Sequence, residues 1–259
     1  MRLLIINPNI SESVSALIRA EAERSASAGT TITMLTAPMG VAYIETRFEA
    51  LIGAYATAQL AAEHHAGHDA VIVAAFGDPG LGGLREVLPV PVLGLTESAL
   101  ASACLLGHRF SIIAISQRIQ AWYREVVAAN GLSGRLASIR ALNRPLASIG
   151  AVQEEHAAAL RALCESAVDD DGAEVLVLAG APLAGLARAL RGQLPVPVVD
   201  GVSSAVRHAE TLVALAPGQA VRGSFAPPPA KPNRGLPEAM ARLLGGLQAH
   251  AASDHGRST

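Results

Sequence analysis

Polar side chains that could bind a small molecule stand at the ends of the predicted strands. They belong to Asn7, Asn9, Ser11, Asp78, Thr96, Glu97, Ser116, Asp200 and Ser203. In open parallel sheets, ligands bind beside the carboxyl ends of the strands, where turns expose backbone NH groups and helix N-termini. These side chains suit binding better than catalysis. We therefore expect a small-molecule site at the strand ends.

Glu97 is the carboxylate that we expect to act as a general base. It follows a predicted strand, and a carboxylate that is removed from water has a raised pKa. The alternative is that Glu97 only occupies the first turn of a helix, where a negative charge is favourable. Glu45, in the segment Tyr43-Ile-Glu45, is a second carboxylate that could take a proton.

Asp78 lies between Gly77 and Pro79 in a predicted tight turn. Asp is favoured in such turns because its carboxylate accepts bonds from nearby backbone NH groups. We therefore expect Asp78 to cap the helix that opens at Asp-Pro-Gly, rather than to act as a base.

Other catalytic and cofactor classes lack their signatures. The only lysine, Lys231, lies in a Pro-rich stretch, which is unsuited to a pyridoxal phosphate mechanism. The sequence contains no Gly-x-Gly-x-x-Gly motif, no phosphate loop and no Gly-x-Ser-x-Gly nucleophile elbow. His64, His65 and His68 stand at a predicted helix end, where they complement the helix dipole. We expect no cofactor and no metal.

The composition is that of a globular protein. The chain has 259 residues, 51% of them hydrophobic and 16% charged, with a formal net charge of -2. Its scattered basic residues give no footprint for nucleic acid. No apolar run approaches the roughly 20 residues that span a bilayer, and the N-terminal run is too short for a secretion signal. We expect a cytoplasmic protein with no membrane or nucleic-acid partner.

Strand-like and helix-like runs alternate, and the pattern occurs twice. Val71–Ala99 has a counterpart in Val175–Ala205, and each copy ends in Pro-Val-Pro-Val followed by a helix-like run. Internal duplication predicts an α/β fold of two similar lobes, each a parallel sheet flanked by helices, with a cleft between them. We assign residues 1–105 and 206–250 to the first lobe and 106–205 to the second. Residues 251–259 are expected to form a disordered tail.

Two strand-end turns should flank the cleft, one at Ala75–Gly80 and one at Gly180–Leu183. The residues expected to contact a substrate there are Phe76, Gly77, Asp78, Thr96, Ala181 and Pro182. Trp122 and Tyr123 begin a predicted helix that either lines the cleft or only supplies packing. Tyr123 is included among the expected contacts.

Several segments resemble the Asp/Glu/hydantoin racemase superfamily, in its hydantoin and allantoin racemase branch. They are Ile6-Asn-Pro-Asn9, Tyr43-Ile-Glu45, Ala75-Phe-Gly-Asp-Pro-Gly-Leu81, Trp122-Tyr123 and Ala179-Gly-Ala-Pro-Leu-Ala-Gly-Leu186. The resemblance implies cofactor-free proton exchange on a carbon next to a carbonyl, in a site between two lobes. It also implies that Asn7 and Ser11 hold a substrate carboxylate or imide oxygen. The alternative is that Asn7 caps a turn and Ser11 caps the following helix.

The resemblance breaks at the two catalytic positions. Racemases of this family use one cysteine from each lobe, because inversion needs two opposed bases. Ala75 and Gly180 stand where those cysteines are expected, and neither can carry a proton. The two cysteines of the chain, Cys104 and Cys164, fall within predicted helices.

Two functions remain open. The first is isomerase or lyase chemistry without thiols, on an amino-acid-derived or hydantoin-like molecule. The second is a non-catalytic binding protein or regulator that has kept the cleft. In either case, the resemblance implies a homo-oligomer.

Overall fold

The computed structural model describes residues 1–143, 148–216 and 218–245. Its strands are β1 Arg2–Asn7, β2 Thr31–Thr36, β3 Ala70–Val73, β4 Val92–Gly94, β5 Phe110–Ala114, β6 Leu136–Ala141, β7 Val175–Leu178 and β8 Val198–Asp200. Its helices are α1 Glu12–Ser25, α2 Arg47–His64, α3 Leu81–Val87, α4 Leu95–Leu106, α5 Gln120–Ala129, α6 Val152–Glu155, α7 Ala157–Asp169, α8 Leu186–Ala189, α9 Gly201–Leu215 and α10 Glu238–Gly245.

The strands form two parallel sheets with the same internal order. The first runs β2-β1-β3-β4 and the second runs β6-β5-β7-β8. The registers also correspond, because Val73 pairs with Gly94 in the first sheet and Leu178 pairs with Asp200 in the second. The α/β fold of two similar halves is therefore confirmed, and Gly94 and Asp200 are equivalent positions.

The inner strands β1, β3 and β7 are nearly continuous apolar runs because helices cover both faces of each sheet. Leu3–Ile6 of β1 and Val175–Leu178 of β7 are almost completely buried. Alternation between apolar and polar residues would instead mark a sheet with one wet face. This arrangement leaves the strand ends as the places where polar side chains and backbone donors are available.

The last helix of each repeat packs against the other sheet. Leu100 of α4 joins the apolar cluster around Ile112 of the second sheet, while Val206 of α9 joins the cluster around Ile5 of the first. The starts of α4 and α9 meet, since a Cβ on Gly201 would lie 2.6 Å from the Cβ of Leu95. The lobe boundaries at residues 105 and 205 stay predictions.

The C-terminal helix begins close to where the sequence places it. We predict a helix from Gly235 to His250 opened by Pro237, and α10 starts at Glu238 and packs against α2. Residues 246–250 and the proposed tail at 251–259 lie outside the described residues. Within the described ranges, no helix is both long enough and apolar enough to cross a bilayer.

Candidate functional site

The first strand-end turn, Ala75–Gly80, follows β3 and requires left-handed backbone. Gly77 has φ 104°, Asp78 has φ 48° and Gly80 has φ 82°. Glycine adopts such values without steric cost, and Asp is among the few other residues that tolerate them. The NH of Asp78 donates to the carbonyl of Ala75 at 3.2 Å and closes the turn.

The carboxylate of Asp78 caps α4. Its two oxygens accept the backbone NH groups of Thr96 at 2.8 Å and Glu97 at 2.9 Å. The sequence predicted that Asp78 caps α3, the helix that directly follows the turn. That prediction is wrong, because the N-cap of α3 is Gly80, which makes no side-chain hydrogen bond. Residue 78 adopts a left-handed conformation, and its carboxylate bonds the helix that follows β4.

Because Gly94 has no side chain, the carboxylate of Asp78 has room beside it. A Cβ on Gly94 would lie 2.2 Å from the carboxyl carbon of Asp78. Thr96 adds a second link, because its Oγ1 accepts the NH of Gly77 at 2.6 Å. The turn and the start of α4 are thus joined by three hydrogen bonds, two to Asp78 and one to Thr96.

Burial changes the acidity of Asp78. Removal of the carboxyl from water raises its pKa from 3.8 to about 7, and the charge of Glu97 adds to the rise. The NH groups of Thr96 and Glu97 oppose the rise, since they stabilise the charged form. Asp78 therefore changes its charge close to neutral pH.

Aromatic residues of α5 cover the first turn. The rings of Phe76 and Tyr123 are 4.7 Å apart between centroids, and a Cβ on Gly77 would lie 2.4 Å from the ring of Trp122. Trp122 and Tyr123 are buried. They pack tightly against the first turn. Their contacts are those of the second alternative, in which these aromatics supply packing.

The pKa of the Tyr123 phenol responds to two carboxylates of the first half. Burial raises its pKa, and the charges of Asp78 and Glu45 raise it further. A phenol in this environment stays protonated and remains a hydrogen-bond donor. The charges of Asp78 and Glu45 thus act on the Tyr123 phenol at the contact between the first turn and α5.

The carboxylate of Glu97 has a partner outside the first turn. It forms an ion pair with Arg85 of α3, and each of the two side chains is 25% exposed. Glu97 also occupies the first turn of α4, as its alternative interpretation expects. Its role as a base stays a prediction. The carboxylate that would take the proton is paired with the guanidinium of Arg85.

Asn7, Asn9 and Ser11 form an internal network at the end of β1. The amide nitrogen of Asn7 donates to Asn9 Oδ1 at 3.1 Å and to Ser15 Oγ at 3.0 Å. Ser11 is the N-cap of α1 and accepts the NH of Val14 at 3.4 Å. The capping alternative thus describes the contacts of Asn7 and Ser11. Ser116 caps a short 3-10 turn in the same way.

The second strand-end turn follows β7 and is built from small residues. Gly180 has φ 107°, and Ala181–Leu183 form one 3-10 turn with Pro182 inside it. Gln153 of α6 holds this turn, because its Nε2 donates to the carbonyls of Pro182 at 2.8 Å and Ala184 at 3.0 Å. Sequence reasoning missed Gln153, which no motif marks.

Each turn packs against the first helix of the other half. Ala181 and Ala184 join the apolar cluster that contains Val14 and Ile18 of α1, just as the first turn packs against α5. Both turns therefore lie at the contact between the halves. The sequence placed them at such a cleft.

Asp200 caps α9 from the end of β8. Its Oδ1 accepts the NH of Ser203 at 2.9 Å, and its Oδ2 accepts the Ser203 hydroxyl at 2.9 Å. The Ser203 hydroxyl also lies 2.9 Å from Glu21 Oε1. Burial raises the pKa of Asp200, and the nearby charge of Glu21 raises it further.

Glu21 forms a buried ionic link between the halves, and sequence reasoning missed it. Its carboxylate is fully buried and accepts from Arg188 of α8 at 2.7 Å. Burial opposes ionisation of Glu21, but the bonds from Arg188, Ser203 and Ser25 outweigh it and lower the pKa. No local pattern marks Glu21, because its partners lie far along the chain.

The histidines and cysteines form no metal centre within the described ranges. His65 and His68 bond helix carbonyls through Nδ1, at 2.9 Å to Ala61 and 2.9 Å to His64. No group of three or more His, Cys, Asp or Glu residues in this part of the chain is arranged to hold a metal. Cys104 lies on α4 and Cys164 on α7.

Comparisons with known proteins point to one family. The family model described as Asp/Glu/Hydantoin racemase matches residues 3–209. A hydantoin racemase from Paenarthrobacter aurescens is 37% identical over 219 residues, which cover 83% of this chain and 92% of that protein.

Solved structures agree with this match. An allantoin racemase from Klebsiella pneumoniae superposes with a TM-score of 0.87 at 33% identity, covering 93% of this chain and 98% of that one. An allantoin racemase from Pseudomonas fluorescens gives a TM-score of 0.84 at 35% identity, covering 91% and 100%.

Proposed function

The chain belongs to the Asp/Glu/hydantoin racemase family, and we propose that it moves a proton at a carbon next to a carbonyl of a hydantoin-like or amino-acid-derived molecule without using a thiol. The product is formed by isomerase or lyase chemistry. No cofactor takes part. Its similarity to hydantoin and allantoin racemases supports the substrate class.

The observation that carries the proposal is the composition of the two strand-end turns. Ala75 and Gly180 follow equivalent strands, and by the family resemblance these are the positions of the two thiols. Both turns pack against the opposite half. Retention of this framework without its proton carriers favours a different acid-base group.

The remaining cysteines do not replace the missing thiols. Burial raises the pKa of Cys164 to about 12, and the charge of Glu165 adds to the rise, so its thiol stays protonated at neutral pH. Cys104 stands toward the far end of α4, and the first turn meets that helix at its start.

A single base has a stereochemical consequence. It takes a proton from one face of the α-carbon and returns a proton to the same face of the carbanion that results. Exchange with solvent, elimination or decarboxylation then follows more readily than inversion. We expect racemisation to be slow relative to exchange.

The alternative is a binding protein or regulator without turnover. The observation that favours it is the internal use of polar groups, because Asn7 and Ser11 bond within their own turn. Binding of a substrate analogue without any exchange or product would support this alternative. Cytoplasmic location and a homo-oligomeric state also stay predictions.

Proton NMR in deuterium oxide tests the proposal. The chain is incubated with 5-substituted hydantoins, allantoin, aspartate, glutamate and malonates, and the α-hydrogen and product signals are followed. Enzyme-dependent loss of the α-hydrogen signal is the expected result. The absence of exchange and of product for every compound that binds would overturn it.

Two variants locate the base in the same experiment. Glu97→Gln removes the carboxylate favoured by the sequence, and Glu63→Gln is a matched control on the exposed side of α2. If Glu97 is the base, Glu97→Gln lowers exchange by about 100-fold or more. A rate equal to that of Glu63→Gln would remove Glu97 from the mechanism.

A further inference from the structure

The two halves cap the helix after their last strand in different ways. In the second half, the cap Asp200 stands at the strand end and bonds the NH of Ser203 in its own helix. In the first half, the equivalent residue is Gly94, and the capping carboxylate comes from Asp78 in the neighbouring turn. Gly94 and Asp200 have the same extended backbone, with φ -109° and -125°.

Capping α4 from the turn, as Asp78 does, costs more free energy than capping it from the strand end would. A non-glycine residue in left-handed backbone costs about 1 kcal/mol or more. Asp78 also needs a glycine at position 94, since any Cβ there would overlap it. Because the second half caps its helix without these features, capping alone does not account for the position of Asp78.

Asp78 lies close in sequence to Ala75, one of the two positions where the family resemblance places a thiol. It stands three residues after Ala75, in the turn that meets α5 of the other half. The charged and titratable groups that face it are Glu97, which is paired with Arg85, and the phenol of Tyr123. The charge of Glu45 also acts on Tyr123.

We infer that Asp78 is the general base of the proposed reaction, so this inference rests on the proposed function. The carboxylate of Asp78 takes the α-proton, the C–H bond breaks, and its electron pair forms the enolate of the adjacent carbonyl. The carboxylic acid then returns a proton, or a deuteron from solvent, to the same face. Glu97 supplies a backbone NH to Asp78 and does not act on the substrate.

The acidity of Asp78 fits this role. Its pKa of about 7 lies where a general base has both a useful charged fraction and sufficient basicity at neutral pH. The rate of exchange should therefore rise with pH and level off above about 7.

The decisive experiment moves the cap from the turn to the strand end. The double variant Asp78→Gly/Gly94→Asp copies the second half, because glycine keeps the left-handed backbone and the new carboxylate at position 94 takes the place that Asp200 has in its own sheet. We expect it to fold with a Tm close to that of the unaltered chain. We also expect it to lose deuterium exchange into an enantiopure 5-benzylhydantoin by about 100-fold or more.

The outcomes separate the inference from the proposed function. If the unaltered chain exchanges deuterium and the folded double variant keeps its rate within about threefold, Asp78 only caps and the inference is overturned. If the unaltered chain exchanges none of the test compounds, the proposed function itself fails. Chiral chromatography supplies a second readout, since exchange with retained configuration is expected for a single base.

Asp78→Asn keeps the test decisive if the double variant does not fold. The amide is almost isosteric and retains one oxygen acceptor for α4, but it cannot take a proton. Loss of exchange together with loss of the pH-dependent limb near pH 7 supports the inference. A folded Asp78→Asn protein that retains both would overturn it.

Discussion

The turn after β3 and the turn after β7 occupy equivalent places in two sheets of the same order, yet their surroundings differ. The first contains the carboxylate of Asp78, meets the ring of Trp122 and is joined to α4 by hydrogen bonds. The second contains only apolar side chains and is held by Gln153, while Asp200 caps the neighbouring helix.

This difference shows where one architecture has been adapted. The two halves of a duplicated fold can be compared with each other. A feature that both halves share serves the fold. A feature present in one half needs another reason. Gly94 together with Asp78 belongs to the first half alone, and so does the close approach of an aromatic ring to a turn glycine.

The largest effect should come from Gly77→Ala. Its Cβ would lie 2.4 Å from Trp122, at φ 104°. Overpacking and backbone strain together predict a loss of about 4 kcal/mol in the free energy of unfolding. Gly180→Ala has the same sign of φ, but its nearest contact is Pro182 Cδ at 3.6 Å, so we expect only about 2 kcal/mol, from strain.

Urea unfolding measures both losses. Gly82→Ala is the control, because its Cβ would meet nothing within 4 Å, and alanine in a helix is about 0.5–1 kcal/mol more favourable than glycine. Equal losses for Gly77→Ala and Gly180→Ala would show that Trp122 adapts and that the two turns are alike.

The next effect concerns Gly94→Ala, which should displace the carboxylate of Asp78 from α4. We expect a loss of about 2–3 kcal/mol in the free energy of unfolding, from overpacking at that contact. Adding Asp78→Gly removes the overlapping side chain, so the double variant should be more stable than the sum of the single effects predicts. Strict additivity in a double-mutant cycle would contradict the contact.

The pH dependence of stability gives a smaller effect with a definite sign. Asp78 has a pKa of about 7 when folded and 3.8 as its ordinary value. Between these values the folded chain holds a proton that the unfolded chain has released. The contribution of Asp78 is therefore fully present below about pH 4 and is lost as the pH rises through about 7.

Asp78→Asn removes this dependence. Relative to the unaltered chain, the variant should gain about 1 kcal/mol per pH unit at the steepest point between these limits. Asp200→Asn should show the same sign, because burial also raises the pKa of Asp200. Urea midpoints across this range measure both, and a gain toward low pH would contradict the assignment for Asp78.

The smallest effect is expected at the exposed ion pair between the halves. Arg47 of α2 pairs with Glu125 of α5, and their side chains are 57% and 59% exposed. Water and salt screen such pairs, so Arg47→Ala should leave the free energy of unfolding almost unchanged. Arg188→Ala leaves the fully buried Glu21 without its main partner and should cost about 2 kcal/mol. Similar thermal midpoints for both variants would contradict this distinction.

The features that the sequence predicted correctly are those that depend on short-range pattern. The apolar runs of β1 and β7 and the cap at Ser11 follow from periodicity and from the residue types favoured at helix starts. The assignment of Asp78 to α3 failed because the turn places its carboxylate on α4. No rule of spacing contains that information, since it depends on how β3 and β4 pair.

The sequence by itself determined the duplicated α/β order, the two small-residue turns and the absence of cysteine from both, because these are properties of local pattern and composition. Only the tertiary structure decided that Glu97 pairs with Arg85, that Asp78 lies beside Tyr123, and that α4 and α9 each pack on the opposite sheet. These partners lie far apart along the chain. They meet only when strand register and packing bring them together.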